Sequence, residues 1–355
     1  MTIAHINRIG TATPPHDVHA PFLAFMGKAL PEGKARSVFN RMAARSGIAH
    51  RYSVLHEDGM VEAQDPLEGF YRRGAYPSTA ARMKVYEAQG PVLAEKAISQ
   101  LGLSEAERDG ITHLIVASCT GFVAPGIDQI LARRLGLRPD LQRSVLGFMG
   151  CAAAVPALRI AQAAVLADPA ARVLVVNLEL CTLHMQETDD IEIALSFLLF
   201  GDGCTATLVT ADEAGLALDD FRAVFIPATE DMITWHVGDQ GFIMHLSGQV
   251  PGKIAQALRD NPDFVLRNEG TQAVNLWAVH GGGKSILDAV QTGLGLPEEA
   301  LMPSRTVLNA HGNMSSATVM FVLARMMATA AAGQRGMAMA FGPGMVAETF
   351  RFHSV

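Results

Sequence analysis
The sequence predicts an α/β fold in which one supersecondary unit is built twice within 355 residues. Three observations point there. Strand-length apolar runs alternate with segments of helical periodicity, which implies a mainly parallel sheet with helices on both faces. Two stretches share one order of elements. Their landmark residues share one spacing: Cys119 and Cys151 are 32 positions apart, His280 and Asn313 are 33, and both Ser144 to Cys151 and Thr306 to Asn313 span seven.

In the first unit the β-type run "THLIVASCTG" leads to a helical pattern ending "LARRLGL". The strand "SVLGFMGC" follows, then the helix "AVPALRIAQAAVLAD", then the strand "ARVLVVNLE". In the second unit "NLWAVHGGG" leads to the helix "KSILDAVQTGLGL" and to "TVLNAHGN", which the repeat predicts as a strand. The helix "SSATVMFVLARMMATAAA" and the strand "GMAMAFGPG" complete it. Gly150 precedes Cys151 as Gly312 precedes Asn313. The duplication divides the chain into halves 1–215 and 216–355, related by a pseudo-twofold axis. Equivalent strand ends and helix starts then face one cleft, so Cys151, His280 and Asn313 become neighbours in space.

Composition narrows the function. Hydrophobic residues make up 49% and charged residues 18%, enough to bury a large core and a subunit contact. The net charge of -7 argues against nucleic acid as the main partner. Four cysteines without a CxxC pair suggest neither a disulfide framework nor a zinc site. The N-terminal "MTIAHINRIG" lacks a signal-peptide layout, and no uninterrupted apolar run reaches about 18 residues. A reduced, cytoplasmic protein without stable membrane insertion is expected.

The chemistry is read from three residues. Cys151 lies among Gly150, Ala152, Ala153 and Ala154, which leave room for a substrate. A helix beginning just after it, with Pro156 in the first turn, would stabilise a thiolate and lower its pKa, as would a nearby imidazolium. Simple packing as a small hydrophobe is the alternative. His280 ends an apolar run before "GGGK", at the sheet edge where open α/β folds bind ligands; His311 in "NAHGN" is the rival. Asn313 suits either a helix N-cap or an amide donor to an oxyanion or enolate, with Ser315 or Ser316 then taking the cap.

With these residues placed, the sequence resembles the type III polyketide synthases, the chalcone and stilbene synthase-like members of the thiolase-fold condensing enzymes. The motifs that carry the resemblance are "GCAAAVPALRIA", "LLFGDG", "GQVPGKI", "AVHGGGKSILDAV", "GNMSSATVMFVL" and "AFGPGMVAET". They run from about residue 112 to the C-terminus, with weaker agreement before, notably "FNRMAARSGIAHRY". The stretches "ELCTLHMQETDD" and "DMITWHVGDQGFIMHLSGQVPG" are most similar to bacterial alkylpyrone and alkylresorcinol synthases.

The resemblance implies a thiolase-like αβαβα fold, a homodimer and no cofactor or metal, with acyl-CoA and malonyl-CoA as substrates. Cys151 would carry the acyl chain as a thioester. His280 would pair with its thiolate, and His280 with Asn313 would hold the oxyanion and the malonyl-derived enolate. Phe200 falls on the family's gatekeeper position and Met244 replaces a second gatekeeper phenylalanine, which suits a flexible passage for an alkyl chain. A hydrogen-bonded group tied to aldol cyclisation maps onto Glu179, Cys119 and Ser315, with a thiol at Cys119 in place of a hydroxyl. Cys181 lies near the cavity. Ala124, in "CTGFVAPG", would reach the partner's cavity. Arg41 and Arg45 match two CoA-contacting basic positions, the third being Val38, and Lys284 adds a contact. Two other readings compete: a single condensation like that of ketoacyl carrier-protein synthase III, and a non-catalytic dimeric lipid-binding homologue.

Overall fold
The computed structural model describes residues 2–56 and 69–355, and its largest element is a nine-stranded sheet. From one edge the strands are Leu276–Val279, Arg335–Gly342, Val346–Ser354, Leu216–Phe225, His5–Ala12, Asp202–Thr210, Val173–Leu180, His113–Ser118 and Gln142–Gly147. The sheet is mixed, which corrects the expectation of a mainly parallel one. Three neighbouring pairs run parallel and five antiparallel. Parallel pairing needs a crossover helix. Strands joined by short turns, such as Arg335–Gly342 and Val346–Ser354, must reverse.

The duplication is visible in this order. His113–Ser118, Val173–Leu180, Asp202–Thr210 and His5–Ala12 pair parallel, antiparallel, antiparallel. Leu276–Val279, Arg335–Gly342, Val346–Ser354 and Leu216–Phe225 repeat that sequence of pairings. Within the sheet the paired positions that join the halves are His5↔Ala217 and Ile6↔Leu216. One element differs. Gln142–Gly147 is a strand, but in its expected counterpart "TVLNAHGN" residues 306–311 lie in the helix Met302–His311. Its buried residues Ser304, Val307 and Leu308 follow helical spacing. Pro303 in the first turn and Gly312 just past the end are start and stop signals that the repeat-based reading overlooked.

Layering follows from three apolar clusters. The helices Ala154–Ala167 and Ala317–Met327 each touch strands of both halves, and their buried faces share one cluster. They form the middle layer between two half-sheets. A second cluster lies under the helices outside the first half-sheet, and a third under those outside the second. This is a thiolase-like αβαβα arrangement. Among the described residues one stretch, Gly150–Ala167, is long and apolar enough to cross a membrane. It begins in the cleft and serves as a central core helix, with Arg159 paired to Glu348.

Candidate active site
Cys151 follows the strand Gln142–Gly147 and lies in a single 3₁₀ turn, Gly150–Ala152, before the helix Ala154–Ala167. Pro156 falls in that helix's first turn, where its missing N–H costs nothing. The approach is tight. Gly150 has φ 59°, and a Cβ there would stand 2.2 Å from Pro343 Cδ, so only glycine fits.

His280 emerges directly after the strand Leu276–Val279, its N–H donating to Met339 O at 2.9 Å. The residue is 2% exposed, and neither ring nitrogen has a hydrogen-bond partner among the described residues. A buried polar ring left unpaired is costly. His311 stands outside the cavity, against Tyr52 and Phe321.

Asn313 lies between the helices Met302–His311 and Ala317–Met327. Its N–H donates to Leu199 O at 2.8 Å, and its carbonyl accepts from Gly201 N at 2.9 Å. These bonds make an isolated bridge to Phe200. The side-chain amide donates to Gly282 O at 3.1 Å and accepts from Ser315 N at 2.8 Å. Ser315 itself is left-handed at φ 48°. Phe148 (φ 55°) and Met345 (φ 52°) share this sparsely populated conformation, which clusters at functional sites.

The three side chains line one apolar cleft of about 890 Å3, its mouth included, together with Phe200, Met244, Cys119, Cys181 and Ser315. Burial pushes the Cys151 thiol up to about 11 and the His280 imidazole down to about 4. This corrects the expected lowering of the thiol. Desolvation by burial outweighs the hydrogen bonds from Ser315 and Asn313, and the nearby Glu179 carboxylate adds to the rise. Both groups rest neutral, a thiol and an imidazole.

Glu179 is fully buried and pushed up to about 7, mainly by desolvation. One carboxylate oxygen accepts from Cys119 N at 3.0 Å and Thr120 Oγ1 at 2.9 Å; the other accepts from Ser316 Oγ at 2.5 Å. The hydrogen-bonded group therefore uses Thr120 and Ser316, not the Cys119 thiol and Ser315 as expected. The Cys119 thiol donates to Gly150 O at 3.3 Å instead, because the strand end turns its backbone, not its side chain, toward Glu179. Ser316 stands at the N-cap position but makes no side-chain cap bond.

A second groove carries Arg45 and Lys284. It shares Leu246, Val250, Gly282 and Ile286 with the cleft, so the two are continuous. Lys284 also holds Asp288 at 2.9 Å. Arg41, one turn back on the exposed face of the helix Lys34–Arg45, lies outside this groove. Ala124 is exposed and lies outside its own chain's cleft.

Sequence reasoning missed His184 and Trp235 in the cleft wall. His184 is held at both nitrogens, Nε2 to Thr120 O at 2.7 Å and Nδ1 from Phe242 N at 3.0 Å. Burial lowers it to about 3, so it is a neutral wall. Trp235 donates to Cys119 O at 2.8 Å. The alternation in "ITWHVG" and "GFIMHL" carried a usable signal, because Trp235 pairs across the hairpin with Met244 and the two share one face.

The family described as chalcone and stilbene synthases matches nearly the whole chain, its N-terminal domain over residues 2–213 and its C-terminal domain over 218–355. The alpha-pyrone synthesis polyketide synthase-like Pks18 of Mycobacterium tuberculosis is 33% identical over 371 residues, covering 99% of this chain and 91% of that protein. The crystal structure of PKS-I from the brown alga Ectocarpus siliculosus superposes with a TM-score of 0.89 at 31% identity, covering 100% of this chain and 99% of that one. That of 1,3,6,8-tetrahydroxynaphthalene synthase from Streptomyces coelicolor A3(2) gives 0.86 at 27% identity, covering 99% of each chain. The chain belongs to the chalcone and stilbene synthase family, the type III polyketide synthases, and is an acyl-transferring, condensing enzyme.

Proposed function
We propose that the chain extends a medium- or long-chain fatty acyl-CoA starter with malonyl-CoA and closes the product to an alkylpyrone. The observation that carries this reading is the convergence of Cys151, His280 and Asn313 on one apolar cleft. The Cys151 thiol attacks the acyl-CoA carbonyl, His280 takes its proton, and CoA leaves with a proton as the thiol. Malonyl-CoA then loses CO2, and the electron pair of the broken C–C bond becomes a thioester enolate. No base, metal or cofactor is needed for that step. His280 and Asn313 face the enolate oxygen as donors. The enolate carbon attacks the Cys151 thioester, the tetrahedral oxyanion collapses, and the Cys151 thiolate is released for reloading.

Lactone closure is favoured over aldol closure. Glu179 does not line the cleft, and its oxygens are occupied by Cys119 N, Thr120 and Ser316. An enol oxygen of the chain attacking its own thioester carbonyl needs no such carboxylate. Arg45 and Lys284 in the continuous groove suit the phosphates of CoA; Arg41, further out, would meet only the far end of the ligand. A homodimer is also part of this reading. The strand Gln142–Gly147 has one unpaired edge among the described residues, with Val145, Phe148 and Met149 exposed beside it, and a second copy is the partner that would cover it.

The test is a mass-spectrometric product screen with malonyl-CoA and acyl-CoAs from acetyl to palmitoyl, with coumaroyl-CoA as the aromatic starter. Cysteine-dependent pyrones, absent with Cys151→Ala, are the expected result. No product from any CoA, with Cys151 still alkylated, would refute it and favour a carrier-protein substrate.

A further inference from the structure
Arg51 is 2% exposed and touches neither the cleft nor the groove beside it. Its Nη1 donates to two carbonyls, Phe197 O at 2.9 Å and Phe200 O at 2.7 Å. Its Nε donates to His19 Nδ1 at 3.0 Å, and the guanidinium stands 4.5 Å from the Phe22 ring centroid. No carboxylate pairs with it directly among the described residues; Asp17 and Asp202 balance its charge from further off. Burying such a cation is expensive. The compensation comes from carbonyls at the C-terminal end of the helix Ile191–Leu199, where a positive charge is favoured.

What those carbonyls hold matters more. Phe200 lines the cleft. Leu199 O and Gly201 N are the two partners that fix the Asn313 backbone. From the other side, Gly312 packs so closely that a Cβ there would lie 2.8 Å from both Arg51 Cγ and Leu199 O. We infer that Arg51 is a positioning residue: by clamping Phe197 and Phe200 it fixes the lip of the cleft and, through the Phe200–Asn313 bridge, the place of the Asn313 amide. The catalytic part of this inference rests on the polyketide reading above; the clamp itself does not. Lysine cannot replace the guanidinium, because a compact ammonium cannot serve both carbonyls and His19 together.

The test compares wild type with Arg51→Lys by amide hydrogen exchange and by kinetics. Peptides covering 197–203 and 310–316 should exchange roughly tenfold faster, while the core strand Val173–Leu180 keeps its protection. Turnover of malonyl-CoA should fall roughly 10- to 100-fold, the scale of a misplaced donor, with KM and the acylation of Cys151 near wild type. Unchanged exchange in both peptides, uniform loss of protection across the chain, or turnover within about twofold of wild type would overturn the inference. If Arg51→Lys does not fold, His19→Leu decides: it removes one tether of the guanidinium, and the same two peptides must exchange faster than in wild type or the clamp is refuted. A wild-type protein that makes no product would sink the polyketide reading, while the exchange data still judge the clamp.

Discussion

Replacing Asn313 with alanine separates loading from condensation. Two things change. The side-chain amide that faces the cleft disappears, and with it the donor to the malonyl-derived enolate. Loss of one such donor costs about 10²- to 10³-fold in turnover, or about 3–4 kcal/mol of transition-state stabilisation. The substitution also strips Gly282 O and Ser315 N of their partners, at about 1–3 kcal/mol of stability each if both stay buried. The backbone bonds of residue 313 to Leu199 and Gly201 survive, so the loop should keep its course. Asn313→Asp is the control: it still accepts from Ser315 N but cannot donate. The assay follows two signals from one mixture, the mass shift of acylated Cys151 and the release of labelled CO2 from malonyl-CoA. Loading near wild type with decarboxylation slowed at least a hundredfold is expected in both variants. Equal loss of loading and decarboxylation, or decarboxylation within tenfold of wild type in Asn313→Asp, would refute the role given to the amide.

Other outcomes follow from neighbouring parts of the site. Met244→Phe narrows the cleft beside Trp235. Each buried starter methylene contributes about 0.8 kcal/mol, so excluding about two shifts the kcat/KM ratio roughly fifteenfold toward the shorter starter; competition between two acyl-CoAs checks it. Burial holds Glu179 at about 7, against 4.5 ordinarily. Its folded pKa is raised, so its neutral form stabilises the fold fully below about pH 4.5, and that stability is lost as pH rises toward about 7. Glu179→Gln should therefore gain on wild type by about 3 kcal/mol between pH 4 and pH 8, read from urea unfolding; a pH-independent difference would exclude the ionisation. Arg45→Glu should raise KM for both CoA substrates roughly fivefold at low salt, with kcat unchanged and the effect fading as salt is added.

The sequence by itself determined the duplicated α/β plan and the pairing of landmarks. Cys119 and His280 follow matching strands, and Cys151 and Asn313 precede matching helices, because strand ends and helix starts carry local signals in glycine, proline and apolar spacing. Even the element misread as a strand, Met302–His311, announced its helix in Pro303 and Gly312. Tertiary structure alone decided the rest. Strand direction depends on which edges meet, so the mixed sheet was not written in any single segment. The thiol of Cys151 is raised, not lowered, because desolvation is a property of everything packed around it. Glu179 found Thr120 and Ser316 in preference to the neighbouring Cys119 thiol and Ser315, since one residue's turn of backbone reverses which side chain faces inward. Arg51, 262 positions from Asn313 in the chain, reads locally as one more basic residue after a basic helix. Its burial and its two carbonyls exist only once segments nearly 150 positions apart in the first half have folded together.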